Sequence, residues 1–381
     1  MSVRILHLAD LHLGAAFPSR GERGSERSRD LLNAFLRAVE FAARDPRPVD
    51  VCVIAGDLFD THDPDEGVVV QVESALERLA AAAIPVLMVP GTHDAMTYRR
   101  SVYRRLRVPQ TAHVFLSPRL EPGPQITVGS ETVQTYGIAY DPSVTARPLE
   151  GFKVSGISDY HVGILHGALQ DNPNWKIRPT DLPITRAEIA ASGLHYLALG
   201  HYHNLAEVRE GSTVAVYPGT LEGKRFGENG PRHLVTATLS PKGVVVERTP
   251  WNVRTLHEAV IDLSQAEIRD DSQLEARLLA FAGDREIARI RLEGPADFAF
   301  DAERIQARLG VRFFHLEIED RSYVLNASLL GRYREEATVR GVFVRRMLER
   351  IEKAPDPAGR EVAALALRLG LAEFQNPRHA P

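Results

Sequence analysis

The 381-residue chain has a single cysteine, Cys52. One thiol excludes an internal disulfide framework and fits a reducing cytosol. Long apolar runs are missing too. The longest, Ala80–Pro90, falls short of the roughly 18–20 residues that span a bilayer. Arg4, His7 and Asp10 interrupt the apolar residues of the N-terminus early, so no secretory signal fits there. The expectation is a cytoplasmic protein with no membrane partner. Neither sign of charge dominates: 46 Lys+Arg stand against 50 Asp+Glu, a formal net charge of −4. A polycation is excluded, and any site for a polyanion must be a local patch. The remaining composition, 44% hydrophobic and 25% charged, excludes global disorder. At roughly 150 residues per domain, two or three domains are expected.

Hydrophobic periodicity divides the chain. Val3–Ala9 reads as a strand ending at Asp10, followed by a polar loop, Gly14–Arg29. Leu32, Phe35, Leu36, Val39 and Ala43 recur at helical spacing, as do Val68, Val69, Val72, Leu76 and Leu79. Val51–Ala55 and Pro85–Val89 are strands ending at Gly56-Asp57 and Gly91. This alternation predicts an α/β layered core over residues 1–250. Val162–Leu165 and Tyr196–Leu199 repeat the pattern, ending at His166 and Gly200-His201. Runs around Thr213–Tyr217, Leu234–Leu239 and Gly243–Arg248 predict an antiparallel finish. Residues 254–325 predict a small β-α-β-α-β domain, and residues 326–381 two amphipathic helices parted by Pro355 and Pro357. Residues 251–325 hold 10 basic against 15 acidic residues, which argues against an extensive phosphate-binding face there.

Five strand ends carry metal-ligand residue types: Asp10-x-His12, Asp57-x-x-Asp60, Thr92-His93-Asp94, His166 and His201-x-His203. Ligands of open α/β sheets bind beyond the carboxyl ends of the strands, so these segments should converge. Asp and His without thiolate suit Mn²⁺, Fe²⁺ or Zn²⁺. Two carboxylates and four imidazoles suffice for two ions if one carboxylate bridges. Two ions roughly 3.5–4 Å apart suit in-line attack on a phosphoester. Each motif alone is weak, because Asp and His also cap helices after strands. Four signatures in order, each directly after an apolar strand, are not explained that way.

The order D-x-H, G-D-x-x-D, G-x-H-D, H, G-H-x-H resembles that of the calcineurin-like metallophosphoesterases. The strings "ILHLADLHLG", "VIAGDLFD", "VPGTHD" and "LALGHYH" with "YPGTLEG" are similar to SbcD-type DNA repair exonucleases. "GENGPR" and "TVRGVFVRRMLERIE" resemble the YhaO branch. The resemblance implies a four-layer α-β-β-α core with a small α/β capping domain at 254–325. It also implies a helical tail at 326–381 that docks an SMC-type ATPase, SbcC-like or YhaN-like. It implies two divalent ions, with Mn²⁺ first and Fe²⁺ or Zn²⁺ as alternatives. Asp10, His12, Asp57 and His203 would hold the first. Asp57, His166 and His201 would hold the second, with Thr92 where the family carries Asn. His93 would act on the leaving group, Asp94 would orient it by hydrogen bonding, and Asp60 would support the ligands.

The activity implied is hydrolysis of DNA phosphodiesters, and the resemblance admits a homodimer. The text after Asp57, Leu58-Phe59-Asp60-Thr61-His62, disfavours the Ser/Thr phosphatase branch with its G-D-x-V-D-R-G. Two other readings stand beside it. One is a weakened DNA-end-binding or scaffold subunit, because Thr92 is a poorer ligand than an amide. The other is a small-molecule phosphodiesterase. Arg20, Arg23, Arg27 and Arg29 offer charge for phosphates, and Trp175 beside Lys176 a ring for a base.

Overall fold

A computed structural model describes residues 2–375 apart from 19, 20, 22, 145, 146, 171–176, 265–267, 297, 299, 325 and 326. Arg20, Trp175 and Lys176 lie outside the described residues. Two compact units divide the chain, Met1–Thr255 and Leu256–Pro381.

The first unit runs β1 (Val3–Leu8), α1 (Arg23–Ala43), β2 (Val51–Ala55), α2 (Glu66–Ala81), β3 (Val86–Val89), β4 (Ala112–Val114), β5 (Glu121–Val128), β6 (Glu131–Ile138), β7 (Tyr160–His166), α3 (Arg186–Ser192), β8 (Tyr196–Gly200), β9 (Ala206–Glu210), β10 (Thr213–Tyr217), β11 (His233–Ser240) and β12 (Gly243–Pro250). Two six-stranded sheets result, ordered β12-β11-β1-β2-β3-β4 and β5-β6-β7-β8-β10-β9.

The side-chain period of two explains why they stack. Val3, Ile5, Val51, Val53, Leu87 and Val89 meet Val162, Ile164, Tyr196, Ala198, Val214 and Val216 in one buried cluster between the sheets. The alternate residues face outward. Leu6, Leu8, Cys52, Ile54, Val86 and Met88 pack with Phe35, Ala38, Val72 and Leu76 of α1 and α2. Leu165, Leu197, Leu199, Ala215 and Tyr217 pack with Ile189 of α3. Strands buried on both faces read as continuous apolar runs, as these do. The result is a four-layer α-β-β-α core, as the resemblance implies. Among the described residues no helix is long and apolar enough to cross a membrane.

The antiparallel finish holds: β10 pairs antiparallel to β9, Ala215 against Val208, and β11 pairs antiparallel to β12 and to β1, Ile5 opposite Ala237. Its strands divide between the two sheets, and the other edge of β10 pairs parallel to β8, Val214 against Tyr196. The segment Gly14–Arg29 is a loop only in its first half, since α1 already begins at Arg23.

The second unit runs β13 (Thr255–Asp262, its first residue at the boundary), α4 (Asp271–Leu279), β14 (Gly283–Ala296), α5 (Ala302–Leu309), β15 (Phe313–Val324), α6 (Ala327–Glu335), α7 (Val339–Glu352) and α8 (Pro357–Gln375). β13, β14 and β15 form a three-stranded sheet, so the β-α-β-α-β reading holds. The region after 326 has three helices, α6 preceding the two expected. Thr338 caps α7 by accepting from Gly341 N–H, and Pro357 opens α8 at a position that tolerates a missing donor.

Candidate metal centre

The convergence expected at the strand ends occurs. β1, β2 and β3 are parallel neighbours in one sheet, β7 and β8 in the other, and all five bring their carboxyl ends to one place. Asp10, His12 and His203 place one ligand atom each within 4.8 Å of one another, and so do Asp10, Asp57 and His166. Asp10 is common to both groups, and Asp57 Oδ2, in the second, lies 3.4 Å from His166 Nε2 and 3.9 Å from His12 Nε2 in the first.

The backbone is strained to achieve this. Asp10, His12, Asp57 and His201 have φ of 52°, 47°, 49° and 110°, four of the six non-glycine residues with positive φ among the described residues. Such conformations cost on the order of 1–3 kcal/mol each and cluster where function over-determines them. Close approach also dictates glycine: a Cβ at Gly91 would strike Asp57, and one at Gly56, itself at φ +85°, would strike the His166 ring.

Hydrogen bonds fix which nitrogens are free. His166 Nδ1–H donates to the Ala55 carbonyl at 3.0 Å, so its Nε2 carries a lone pair. That Nε2 is buried without a hydrogen-bond partner and faces a carboxylate oxygen. Lone pair against lone pair in a dry site is stable only with a cation between them. His203 Nδ1–H donates to Glu228 at 2.6 Å, leaving its Nε2 as acceptor, 3.0 Å from His12 Nε2. A cation replacing the shared proton would have two imidazoles and Asp10 within reach.

The electrostatics agree. Burial, reinforced by Asp57, pushes the Asp10 carboxyl well above its ordinary value. Burial also opposes ionisation of Asp57, yet His166, His12 and His93 hold it below the usual range. Burial lowers His12 to about 4 and pulls His166 down as well, so both stay neutral and able to ligate. Two buried carboxylates and neutral imidazoles form a donor set that fits divalent cations.

The remaining expected residues take more varied places. The Thr92 hydroxyl donates to Asp57 Oδ2 at 3.1 Å, so it steadies that carboxylate. His201 donates its backbone N–H to both oxygens of Asp10, at 3.0 and 3.1 Å. Its ring lies edge-on to His166, 5.2 Å between centroids, with Nε2 3.9 Å from Asp181. His93 is half-exposed and donates its backbone N–H to Asp57 Oδ1 at 2.8 Å. The orienting bond expected from Asp94 is made by another group: His93 Nδ1 bonds the Asp60 carbonyl at 2.9 Å. Asp94 is buried and accepts from Gly91 N–H, Phe59 N–H and the Tyr103 hydroxyl, pinning the β2 and β3 loops together. Burial and nearby Asp57 push its carboxyl up to about 7. Arg27 is fully buried on Glu222, Asp30 and the Gly223 carbonyl, and so is not available to phosphates.

Sequence reasoning missed Glu228 and Lys224. Glu228 holds His203 and also accepts Lys224 N–H at 2.7 Å. Lys224 Nζ reaches Asp60 and lies 3.2 Å from His12 Nδ1. The signal was present in "GENGPR", an acid in a glycine-rich loop, but nothing in the sequence ties position 228 to position 203. Above these groups opens a cleft of about 810 Å³, lined by Asp57, Thr92, His93, His201, His203 and Lys224 among others.

Comparison with known proteins agrees with this geometry. Residues 3–205 match the family described as calcineurin-like phosphoesterase. The chain is 24% identical over 271 residues to the metallophosphoesterase YhaO of Bacillus subtilis, covering 68% of this chain and 63% of that protein. It is 28% identical over 207 residues to the DNA double-strand break repair protein Mre11 of Sulfurisphaera tokodaii, covering 52% and 49%. To the Mre11 of Aeropyrum pernix it is 30% identical over 275 residues, covering 68% and 64%. In each case the match spans less than two thirds of the relative's length.

Proposed function

Because the chain belongs to the calcineurin-like phosphoesterase family, we propose that its cleft is the active site of a divalent-metal-dependent nuclease that hydrolyses DNA phosphodiesters. The observation carrying this is the unpartnered, buried His166 Nε2 facing Asp57, beside a second group that shares Asp10. Asp10, His12, Asp57 and His203 would hold one ion, and Asp57, His166 and His201 the other. Mn²⁺ is the first candidate for both. Bound there, divalent ions supply Lewis-acid charge to a phosphoryl group and activate water.

The chain's own residues do the rest. Glu228 keeps His203 in the tautomer that ligates. The Asp60 carbonyl holds His93 by Nδ1, which leaves Nε2 to carry a proton to the leaving oxygen. Asp94 keeps the turn that presents His93 rigid. The likeness to DNA double-strand break repair proteins supports DNA as substrate. An SMC-type ATPase and a second copy of the chain are the partners that the motif resemblance implies. In this reading residues 1–250 are the nuclease domain, 254–325 the capping domain and 326–381 the ATPase dock. The exposed apolar residues Val362, Leu365 and Leu369 of α8 suit such a dock.

Elemental analysis paired with a DNA degradation gel in Mn²⁺ tests the reading. Two ions per chain and loss of DNA are expected. No hydrolysis of any DNA or small phosphodiester at any Mn²⁺ concentration would overturn it. The Thr92 hydroxyl on Asp57 supports the weakened-scaffold alternative, which predicts DNA binding and one ion without hydrolysis.

A further inference from the structure

The rim of the cleft carries two rings that phosphate chemistry does not use. His62 and Tyr98 stack, with centroids 4.1 Å apart and planes 21° apart, and both line the cleft with Thr92 and His93. They come from separate segments, His62 from the turn after β2 and Tyr98 from the loop after β3. Backbone bonds hold both. Val102 N–H donates to the His62 carbonyl at 2.7 Å, and Ser101 N–H donates to the Tyr98 carbonyl at 3.0 Å. Arg104 Nε–H donates to the same Tyr98 carbonyl at 3.4 Å, and its Nη2 to the Met96 carbonyl at 3.1 Å. The pair is therefore positioned before any ligand arrives.

Packing does not account for Tyr98. After stacking on His62 it remains 43% exposed, whereas Tyr103, five residues on, is buried with its hydroxyl on Asp94. The segment that follows is basic, with Arg99, Arg100, Arg104, Arg105 and Arg107. Three carboxylates answer those five cations: Asp63 pairs Arg100 and Arg105, Glu66 pairs Arg105, and Glu73 pairs Arg107. Two of the five adjoin Tyr98: Arg99 follows it in sequence, and Arg104 donates to its carbonyl. An aromatic face next to cations is how proteins hold unpaired nucleotides, because every base has a π-face and every link a phosphate.

We propose that Tyr98, backed by His62, is a nucleobase-stacking subsite, so that the cleft takes a single-stranded nucleic acid end with one base splayed onto Tyr98. The inference rests on the nuclease reading for its substrate class, and its test uses binding, not hydrolysis. The Kd of a fluorescein-labelled dT oligonucleotide is measured by anisotropy in EDTA at low salt. Wild type, Tyr98→Phe and Tyr98→Ala are compared, each also with an oligonucleotide whose terminal nucleotides are abasic. Tyr98→Ala should weaken dT binding about tenfold or more, and Tyr98→Phe less than about twofold. Binding of the abasic oligonucleotide should be insensitive to either change.

A terminal 2-aminopurine should be quenched on binding to wild type, a reading that needs no variant to fold. Equal dT binding by wild type and Tyr98→Ala, an equal loss on both oligonucleotides, unquenched 2-aminopurine in the complex, or no binding by wild type each overturns the subsite. Failure of the nuclease reading shows separately, as intact DNA in Mn²⁺.

Discussion

Glu228 is the residue whose role is clearest from geometry alone. It is 3% exposed, and its carboxylate takes the His203 Nδ1–H at 2.6 Å. Burial works against its charge, but His203 and the Lys224 N–H hold its pKa down to about 2. A carboxylate behind a ligating imidazole fixes the tautomer and raises basicity, and its loss costs roughly 10–100-fold in metal affinity. Glu228→Ala should weaken Mn²⁺ binding by that factor, read by calorimetric titration, while secondary structure by circular dichroism is unchanged. An unaltered affinity would show that His203 is not a ligand. His93 should behave in the opposite way, because it lies on the cleft rim and its Nδ1 is committed to a carbonyl. His93→Ala should keep its metal and lose roughly 10²–10⁴ in rate. If metal content falls with rate, His93 is itself a ligand. At Thr92 the hydroxyl supports Asp57 instead of reaching past it. Thr92→Asn brings an amide oxygen one bond further out and should lower the Mn²⁺ needed for half-maximal activity. The same Mn²⁺ dependence in both proteins would mean that the second ion does not need this side chain.

At the scale of elements, the loop between β10 and β11 matters most, because it delivers Lys224 and Glu228 to the centre. It is anchored from behind. Glu222, 3% exposed, bonds Arg27 of α1 at 2.8 Å and the Val253 N–H, and Arg254 bridges to Asp30 and Glu26 of α1. Burial raises the Glu222 carboxyl, and Arg27 is the charge that offsets it. Removing one partner of a buried pair leaves the other uncompensated, at about 3–5 kcal/mol. Arg27→Ala should therefore lower urea stability by about that amount and weaken Mn²⁺ binding through the released loop. A loss below about 1 kcal/mol would mean that water reaches Glu222 and the anchor is not dry. Helix α1 thus serves the site through Arg27 by holding a loop, where the sequence had offered that residue's charge for phosphates.

For the molecule as a whole, burying histidine between two sheets makes stability depend on pH. His7 lies on the inner face of β1, fully buried, with Nδ1 2.8 Å from the Tyr196 hydroxyl of β8 in the facing sheet. Burial lowers its pKa to about 3 from an unfolded value of 6.5. Between those values the unfolded chain binds the proton and the folded chain does not, so stability falls as pH drops through this window. Burial lowers His12 and His201 to about 4 as well, with the same sign in metal-free protein. Asp10, raised by burial, has the opposite sign: above about 3.8 the folded state binds the extra proton, so its contribution weakens as pH rises. Calorimetry of the metal-free protein should show Tm falling as pH drops from about 6.5 toward 4. His7→Leu should flatten that slope, and an unchanged slope would mean His7 is protonated in the folded state.

The layered core could be read from residue order because each strand alternates two apolar sets and each ends in Gly, Asp or His. Period two and strand-end chemistry are local properties, and Asp10, His12, Asp57, His166 and His203 carry them visibly. Other features depend on contacts between distant positions. Glu228 meets His203, Arg27 meets Glu222, and β10 lies parallel to β8 while β11 crosses to β1. No local pattern encodes such pairings, since an acid in a glycine-rich loop or an arginine on a helix looks the same whether buried on a partner or facing water. The exchange of Asp94 for the Asp60 carbonyl as the group that holds His93 has the same origin. Adjacent residues on a tight turn point apart, so the neighbour in sequence was not the neighbour in space. Residue types and spacing were enough to mark the chemistry of the centre. Folding alone decided which carboxylate the two ligand groups share, which nitrogen is free and which ring stays exposed, because those depend on burial and on backbone angles that the tertiary structure imposes.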